Sequence, residues 1–523
     1  MSLTSLDISN FDTSKVTKMI EMFQNVIKVK NLDCSNFNTK EVTDMYGMFY
    51  SMKSLEKLDI SSFDTSKVTD MGSMFEDVNN LEELNLNNFN TKNVVDMSYM
   101  FAFLTKLKNL NLENFDTSEV KNMSYMFSNC LSLTSLNISN FKTENVENMN
   151  HMFSLCENLE NLDVSNFNTN KVENMNSMFF NCKLLTSLDL LKFDTKNVID
   201  MSYMFSSCSN LKILKIDNFI TNKVIDFSYM FSYCKQLQSL NMTNFDTSKS
   251  TNFAGMFQNL IFLTSIDVSN FNTSKTVDLS YMFKNLNLIK NLNLRTFDTN
   301  KVELMNEMFY GLENIEELDL NNFETKNVKS MFGLFQNCYL LNNLNLINFD
   351  TSKVTYMNRM FDSCISLKNL DISSFITEEV THFGSMFNNC KSLTSIDLSK
   401  FNTTKCTSMI NMFNGCTSLE SLELSNFETT NVKTFSSMFA NCISVTTLNI
   451  PNLKTNSTDS IENMFYNCSS LTSLYLPYFD TTNIKDKLEN VFEECNNLIL
   501  SIKVEQCSNL IEFIPDYVKI IEL

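Results

Sequence analysis

Residues 107–132 read LKNLNLENFDTSEVKNMSYMFSNCLS, and residues 133–158 repeat the pattern as LTSLNISNFKTENVENMNHMFSLCEN. The Phe of the recurring N-F-D-T element marks the period. From Phe11 to Phe479 this position returns every 26 residues, with Leu453 as its single substitution. About nineteen repeats in strict register predict a stack of small coils, each supported by its neighbours, rather than several globular domains.

Each repeat divides into two halves of different character. With Leu3 as position 1, Leu6 and Ile8 alternate with polar residues, which predicts a strand with one buried face. In the second half apolar residues fall at i, i+3, i+4 and i+7, the spacing of one helix face. In the first repeat these residues are Met19, Met22, Phe23 and Val26. We therefore predict an α/β solenoid, an arc or superhelix in which every repeat adds one short parallel strand and one short helix.

Position 16 supports this division, since it holds Asp or Asn in ten repeats and these side chains cap free backbone N–H groups. They are Asp44, Asp70, Asp96, Asn122, Asn148, Asn174, Asp200, Asp226, Asn252 and Asp278. After the last repeat the pattern dissolves. We expect residues 1–500 to form the solenoid and residues 501–523 to form a C-terminal cap.

Composition and charge exclude several classes of protein. Hydrophobic residues make up 43% of the chain, enough for a core, and the net charge of -19 repels nucleic acid and anionic membrane surfaces. No apolar run is long enough to insert into a membrane, and no secretion signal is visible at the N-terminus. Because the chain starts inside a repeat, we expect either a fragment or a chain made without a cleaved targeting segment.

The invariant columns have structural interpretations. Phe at positions 9 and 21 and Met at positions 17 and 20 are expected to build the core, because other apolar residues replace Met there. Thr occupies position 11 in every repeat, from Thr13 to Thr481. We predict that its hydroxyl bonds the backbone where the chain leaves the sheet, and that Asn at position 8 forms a similar amide ladder.

Cysteine concentrates at position 24, where aliphatic residues replace it in other repeats, as expected for a small buried side chain. Side chains that point in parallel disfavour disulfides, but neighbouring repeats stack near the spacing that a disulfide needs, so cross-links stay an open alternative. No metal-site spacing is present among the cysteines. We expect neither a bound metal nor a cofactor.

An enzyme is not expected. The two histidines, His151 and His382, stand nine repeats apart and each is alone in its column. Neither can therefore combine with a nucleophile and an orienting acid. Seven scattered glycines cannot build a phosphate loop.

Position 5 is the column most exposed to a partner, because polar residues that flank the strand hydrophobes line one open face. This column is mostly Asp or Asn, including Asp163 and Asp189. We interpret it either as a solvated acidic face or as a surface for cationic or hydroxyl-rich ligands. Departures from the columns point to binding. One group is Leu191, Ile213, Lys215 and Ile220, a small apolar patch in a polar field, and a second is Pro451, Tyr475, Pro477 and Tyr478 near the C-terminal end. Repeat drift, or capping of the stack by the second group, explains them equally well.

The repeats also resemble a known family. The L-x-x-L-x-(L/I) segment resembles the leucine-rich-repeat signature, and M-F-x-x-C-x-x-L is similar to the A-F-x-x-C-x-x-L of BspA-like, or Treponema-type, repeats. Met126, Phe127, Cys130 and Leu133 carry that second likeness. The S-N-F-D-T-S-K-V-T-x-M form resembles the BspA-family surface-protein repeats first catalogued as a mycoplasmal domain of unknown function.

The resemblance covers roughly residues 3 to 500 and implies a solenoid displayed on a cell surface or secreted, which binds a protein or a glycan and serves adhesion. The alternative is a cytoplasmic scaffold for protein–protein interactions, favoured by the missing signal and the free thiols. In either case we expect a monomer that binds no nucleic acid. A calcium array on the position 5 carboxylates is a third hypothesis, which lacks the Gly-rich spacing of such solenoids.

Overall fold

A computed structural model describes residues 3–484 and 487–523 of the chain as stacked coils of 26 residues. The coils cluster into two compact units. The first unit comprises the chain up to Ser250 together with Met256–Phe262, and the second comprises Thr251–Gly255 and Leu263–Leu523.

Short parallel strands form one side of the coils. In the first unit they are β1 (Asn31–Asp33), β2 (Lys57–Asp59), β3 (Ser187–Asp189) and β4 (Ile213–Lys215). In the second unit they are β5 (Glu317–Leu318), β6 (Asn343–Leu344), β7 (Ser421–Glu423), β8 (Thr447–Asn449), β9 (Ser473–Tyr475), β10 (Ile499–Ile502) and β11 (Lys519–Glu522).

The strands pair one repeat apart, as the alternation of apolar and polar residues predicts. Leu32 lies opposite Leu58, and Leu188 lies opposite Leu214. The central Leu of β3 is buried while its two neighbours are exposed. The solenoid of parallel strands is therefore confirmed.

The short helix predicted for the second half of each repeat is wrong. Tyr125 (φ 59°) and Asn129 (φ 60°) are left-handed, and the equivalent positions 19 and 23 have positive φ along both units. A helix cannot continue through such residues. Within the described ranges the helices are two short 3₁₀ turns, Val504–Cys507 and Ile511–Phe513.

Backbone hydrogen bonds in this half join neighbouring coils. The amides at positions 17, 19, 21 and 23 donate to the next coil, as Tyr125 does to the Asn150 carbonyl at 2.9 Å. The amides at positions 20 and 22 donate three residues back, as Ser128 does to the Tyr125 carbonyl at 2.9 Å. Every second amide thus leaves its own coil, so the backbone is satisfied without a helix. The apolar spacing that suggested a helix face is also satisfied by these turns.

Position 16 has the capping role that its residues predict, although it caps a turn instead of a helix. Asp70 Oδ1 accepts a hydrogen bond from the Gly72 amide at 2.9 Å, and all ten Asp and Asn side chains named above cap the amide two residues ahead. Their backbones also form a second row of parallel bridges, such as Asn122 with Asn148. This row and its turns are called the turn face.

The threonine column holds adjacent coils together. The buried Thr117 hydroxyl donates to the Lys142 carbonyl at 2.8 Å and accepts from the Lys142 amide at 2.8 Å. The Asn ladder at position 8 is present as well, since Asn140 Nδ2 donates to the Leu112 and Phe115 carbonyls at 3.0 and 2.8 Å. Both predictions are confirmed, because these side chains satisfy backbone groups that the strand ladder leaves open.

The core follows the apolar columns. The Phe127 ring stacks between those of Phe101 and Phe153, each with centroids 5.7 Å apart. Met123 and Met126, from the two methionine columns, are completely buried beside it. The predicted core role of Phe and Met is therefore confirmed.

We expect Thr117→Val to destabilise the first unit by about 1–3 kcal/mol, although the two side chains have the same shape. The replacement leaves the Lys142 amide and carbonyl without their hydroxyl partner. Thr43→Val is the control, because its hydroxyl is exposed and bonds one carbonyl at 3.2 Å; we expect a change within about 0.5 kcal/mol. Denaturant unfolding of both variants measures the difference, and equal effects would show that the buried hydroxyl is dispensable.

Candidate functional site

The exposed side chains at positions 3, 5 and 7 of the repeats form a continuous polar surface in each unit, called here the strand face. Ser187 and Asp189 of β3 lie on it, while Leu188 between them is 2% exposed. Its composition follows from the alternation, because strand residues two apart share a face.

Most position 5 side chains on this face have a structural partner. Asp33 Oδ1 accepts from the Ser35 amide at 2.9 Å, and the hydrogen bonds from Ser35 lower the pKa of Asp33. The same bond from the position 7 amide occurs in sixteen of the nineteen repeats. The acidic column therefore closes a turn at each strand end, which a purely solvated face would not require.

Asp163 and Asp189, both candidate binding residues, follow this rule. They accept from the amides of Ser165 at 2.9 Å and Leu191 at 3.2 Å. One carboxylate oxygen of each is thereby engaged in its own coil. The second oxygen of Asp189 accepts from Lys215 Nζ at 2.7 Å.

The three repeats without the bond have Lys215, Asn449 and Tyr475 at position 5. Lys215 offers no acceptor oxygen, and it pairs with Asp189 of the preceding coil instead. Hydrogen bonding and charge from Lys215 lower the pKa of Asp189, but the pair is about half exposed and contributes little to stability.

The pairing of β3 with β4 brings most of the first candidate group together. Ser187 lies opposite Ile213 and Asp189 opposite Lys215, and Leu191 follows β3 in the same coil. Ile213 is 57% exposed and Leu191 is 42% exposed. Two apolar side chains thus lie beside an ion pair on the strand face.

Ile220 does not belong to this patch of strand. It lies at position 10, where its amide and carbonyl both bond the Thr195 hydroxyl. Its side chain is exposed but lies outside positions 3, 5 and 7, which make up the strand face. Asp163 is one coil before Asp189 in the position 5 column.

The second candidate group lies in the second unit. Tyr475 ends β9 and lies opposite Ser501 of β10, and its side chain is 55% exposed. Tyr478, 52% exposed, occupies the position of the Asn ladder but has no amide with which to continue it. Pro477 lies between them.

Two residues near the second group, Asn449 and Glu423, could not be singled out from their columns. Asn449 is an ordinary residue for position 5, and Glu423 differs little from Asp. Asn449 Nδ2 donates to both carboxylate oxygens of Glu423, and this contact depends on the pairing of adjacent coils. A proline at position 7 was the available signal, because proline cannot donate the turn hydrogen bond.

The cysteines are all free and buried, which answers the question left open by their spacing. Cys156 Sγ donates to the Phe127 carbonyl of the preceding coil at 3.1 Å, and the other position 24 cysteines make the equivalent contact. Burial raises the pKa of Cys156 to about 12. The thiols therefore pack as small core residues.

His382 Nδ1 lies 2.8 Å from the hydroxyl of its chain neighbour Thr381. The His151 ring stacks on Tyr125 with centroids 4.2 Å apart, within a half-buried aromatic row on the turn face that starts at Tyr99. His382 stacks on Tyr356 in the second unit. Across residues 3–484 and 487–523, no group of three or more His, Cys, Asp or Glu residues could hold a metal ion. The same ranges contain no helix long and apolar enough to cross a bilayer.

Coils of one fixed length, a parallel strand with the L-x-x-L-x-(L/I) pattern and an apolar interior define a solenoid of the leucine-rich-repeat class. The family model described as "Mycoplasma protein of unknown function, DUF285" matches residues 1–110, 73–187, 102–214, 201–318, 278–396, 303–423 and 386–504. The chain belongs to this family, which confirms the resemblance drawn from its repeats.

Solved structures of bacterial leucine-rich-repeat proteins are similar to the chain. One from Bacteroides ovatus is 16% identical, covers 97% of this chain and 88% of its own, and has a TM-score of 0.28. One from Eubacterium ventriosum is also 16% identical, covers 72% and 82%, and has a TM-score of 0.24. No curated protein matches the sequence.

We expect the position 24 thiols from Cys130 to Cys442 to be unreactive in the folded protein at about pH 8, near the pKa of a free thiol. The thiolate is the reactive form, and burial raises the pKa of thiols such as Cys208 and Cys338 to about 12. Reaction with a chromogenic disulfide reagent, with and without guanidinium chloride, measures this. Rapid modification of several thiols in the folded protein would contradict their placement in the core.

Proposed function

We propose that the chain is a non-catalytic binding scaffold, displayed on a cell surface, whose strand face recognises a protein or glycan partner in adhesion. The observation that supports this most directly is the exposure of Leu191 and Ile213 in a polar field. Apolar side chains surrounded by polar groups are the usual anchors of an interface.

The surroundings of this patch suit a recognition site. Asp189 and Lys215 are paired beside it and Asp163 adds a negative charge one coil earlier. A partner that covers Leu191 and Ile213 would meet charges of both signs at the rim, where they favour orientation more than affinity. Ile220 would contact only a partner that extends beyond the strand face.

Surface display is supported by the family resemblance. The fifteen free thiols favour the alternative, a scaffold in a reducing compartment. Protease treatment of intact source cells distinguishes the two locations. Digestion of the chain without lysis supports surface display, whereas full protection would contradict it.

The strand face is tested by a charge placed in its apolar patch. We expect Leu191→Asp, alone or with Ile213→Asp, to abolish capture of the partner that the wild-type chain retains from host-cell surface extract. Ile199→Asp is the matched control, because Ile199 is 41% exposed, close to the 42% of Leu191, but lies on the turn face. Loss of capture by the control alone, or by neither variant, would contradict the proposed surface.

A further inference from the structure

Two prolines change the strand face near the end of the second unit. In sixteen repeats the position 7 amide occupies an oxygen of the position 5 side chain, but Pro451 and Pro477 stand at position 7 here and have no N–H to donate. The position 5 side chains that lack this bond in the two repeats are Asn449 and Tyr475. Among the described residues, nothing donates to Asn449 Oδ1.

The released amide is held in place by its neighbour. Asn449 Nδ2 donates to both carboxylate oxygens of Glu423, at 2.9 and 2.8 Å. Glu423 Oε1 also accepts from the Ser425 amide at 3.0 Å. The two Glu423 oxygens lie on the same side of Asn449 Nδ2 and share one of its hydrogens, which orients the amide and leaves its carbonyl oxygen as a fixed acceptor on the open face.

Tyr475 adds an aromatic wall to this pair. The strands β7, β8 and β9 are consecutive in one sheet, which puts Glu423, Asn449 and Tyr475 in adjacent coils of the position 5 column. No aromatic ring stacks on Tyr475 in the described part of the chain, in contrast to the stacked tyrosines of the turn face. Its ring therefore has a face available.

The space beside this wall is a shallow cleft of about 390 Å³. Its position 3 residues are small and carry hydroxyls. They are Ser421, Thr447 and Ser473. The cleft thus combines an aromatic surface, a fixed carboxylate, a fixed amide oxygen and a polar floor, which is the mixture of apolar contact and few oriented polar groups found in ligand sites.

We propose that this cleft is a subsite for a neutral sugar ring, which rests its C–H face on Tyr475 and donates hydroxyl hydrogens to Asn449 Oδ1 and Glu423. The proposal rests on the proposed function, because it assigns a ligand class to part of the strand face. A sugar presents both surfaces that the site needs, an apolar ring face and a rim of hydroxyl donors.

The hydrogen bonds favour a neutral ligand over a cation. Glu423 already accepts three hydrogen bonds, which together lower its pKa, so its charge is partly satisfied before a ligand arrives. The second hydrogen-bond acceptor of the site, Asn449 Oδ1, is neutral. A sugar hydroxyl can use Asn449 Oδ1 and a remaining lone pair of Glu423 without needing an unpaired negative charge.

The test applies the whole chain to an array of neutral oligosaccharides that end in glucose, galactose, mannose or N-acetylhexosamine, followed by calorimetric titration with the best ligand. We expect Tyr475→Ala to weaken binding by about tenfold or more, since it removes the aromatic wall. Tyr233→Ala is the control, because Tyr233 is 41% exposed and lies in the first unit.

The sharper variant is Pro451→Ser, which removes no proposed ligand contact. It restores the amide that Ser425 supplies one coil earlier, so Asn449 Oδ1 is taken back into the turn. We expect sugar binding about three- to tenfold weaker, the value of one hydrogen bond. Pro515→Ser, at the remaining proline of the chain, should bind as wild type does.

Failure of every sugar to bind, or wild-type affinity in both Tyr475→Ala and Pro451→Ser, would overturn the proposal. Binding of a Lys-rich peptide in place of any sugar, with the same dependence on Tyr475, would also overturn it. Capture of a partner through Leu191 is measured separately and persists if only this subsite is wrong. Capture that does not depend on Leu191 would instead contradict the proposed function.

Discussion

The hydrogen bond from one coil to the next is the interaction on which the whole structure depends. A coil of 26 residues has no closed core of its own, and its amides at positions 17, 19, 21 and 23 find acceptors only on its neighbour. The Thr117 hydroxyl and the Asn140 amide extend the same bonding to the strand side. This constraint favours a regular repeat length, because donors and acceptors must stay in register from coil to coil. The one extra residue between Phe465 and Phe492 is accommodated with the ladder intact, since Asn463 still donates to the Glu489 carbonyl.

The same constraint accounts for where the strand face can vary. Wherever position 5 caps the position 7 amide, its side chain serves the coil and must carry an acceptor oxygen, which Asp or Asn usually supplies and Glu423 supplies once. A repeat that abandons this bond frees its position 5 residue for other contacts. Lys215 lacks the acceptor and pairs with Asp189, and Asn449 loses the donor to Pro451 and bonds Glu423. The polar strand face therefore departs from its regular pattern in a few coils only.

The period, the buried columns and the bonding of Thr and Asn followed from the sequence, because each depends on a residue type that recurs at one position. The second half of the repeat did not, since the spacing of Met123, Met126 and Phe127 fits a helix face and this series of turns equally well. A signal was present at position 23, where Asn129 and Gly311 are residue types that tolerate left-handed backbone. Of the candidate residues, Asp189 and Lys215 were brought together by strand pairing, while Ile220 was separated because one column cannot show on which side of the coil it lies.

Residue-resolved hydrogen exchange over residues 117–130 tests the inter-coil ladder most directly. We predict slow exchange at the amides of Met123 and Tyr125, because they donate to the Asn148 and Asn150 carbonyls of the next coil. A helix that started after Asn122 would leave these first-turn amides without an internal partner. Fast exchange at Met123 and Tyr125, combined with slow exchange from Phe127 onward, would contradict the account.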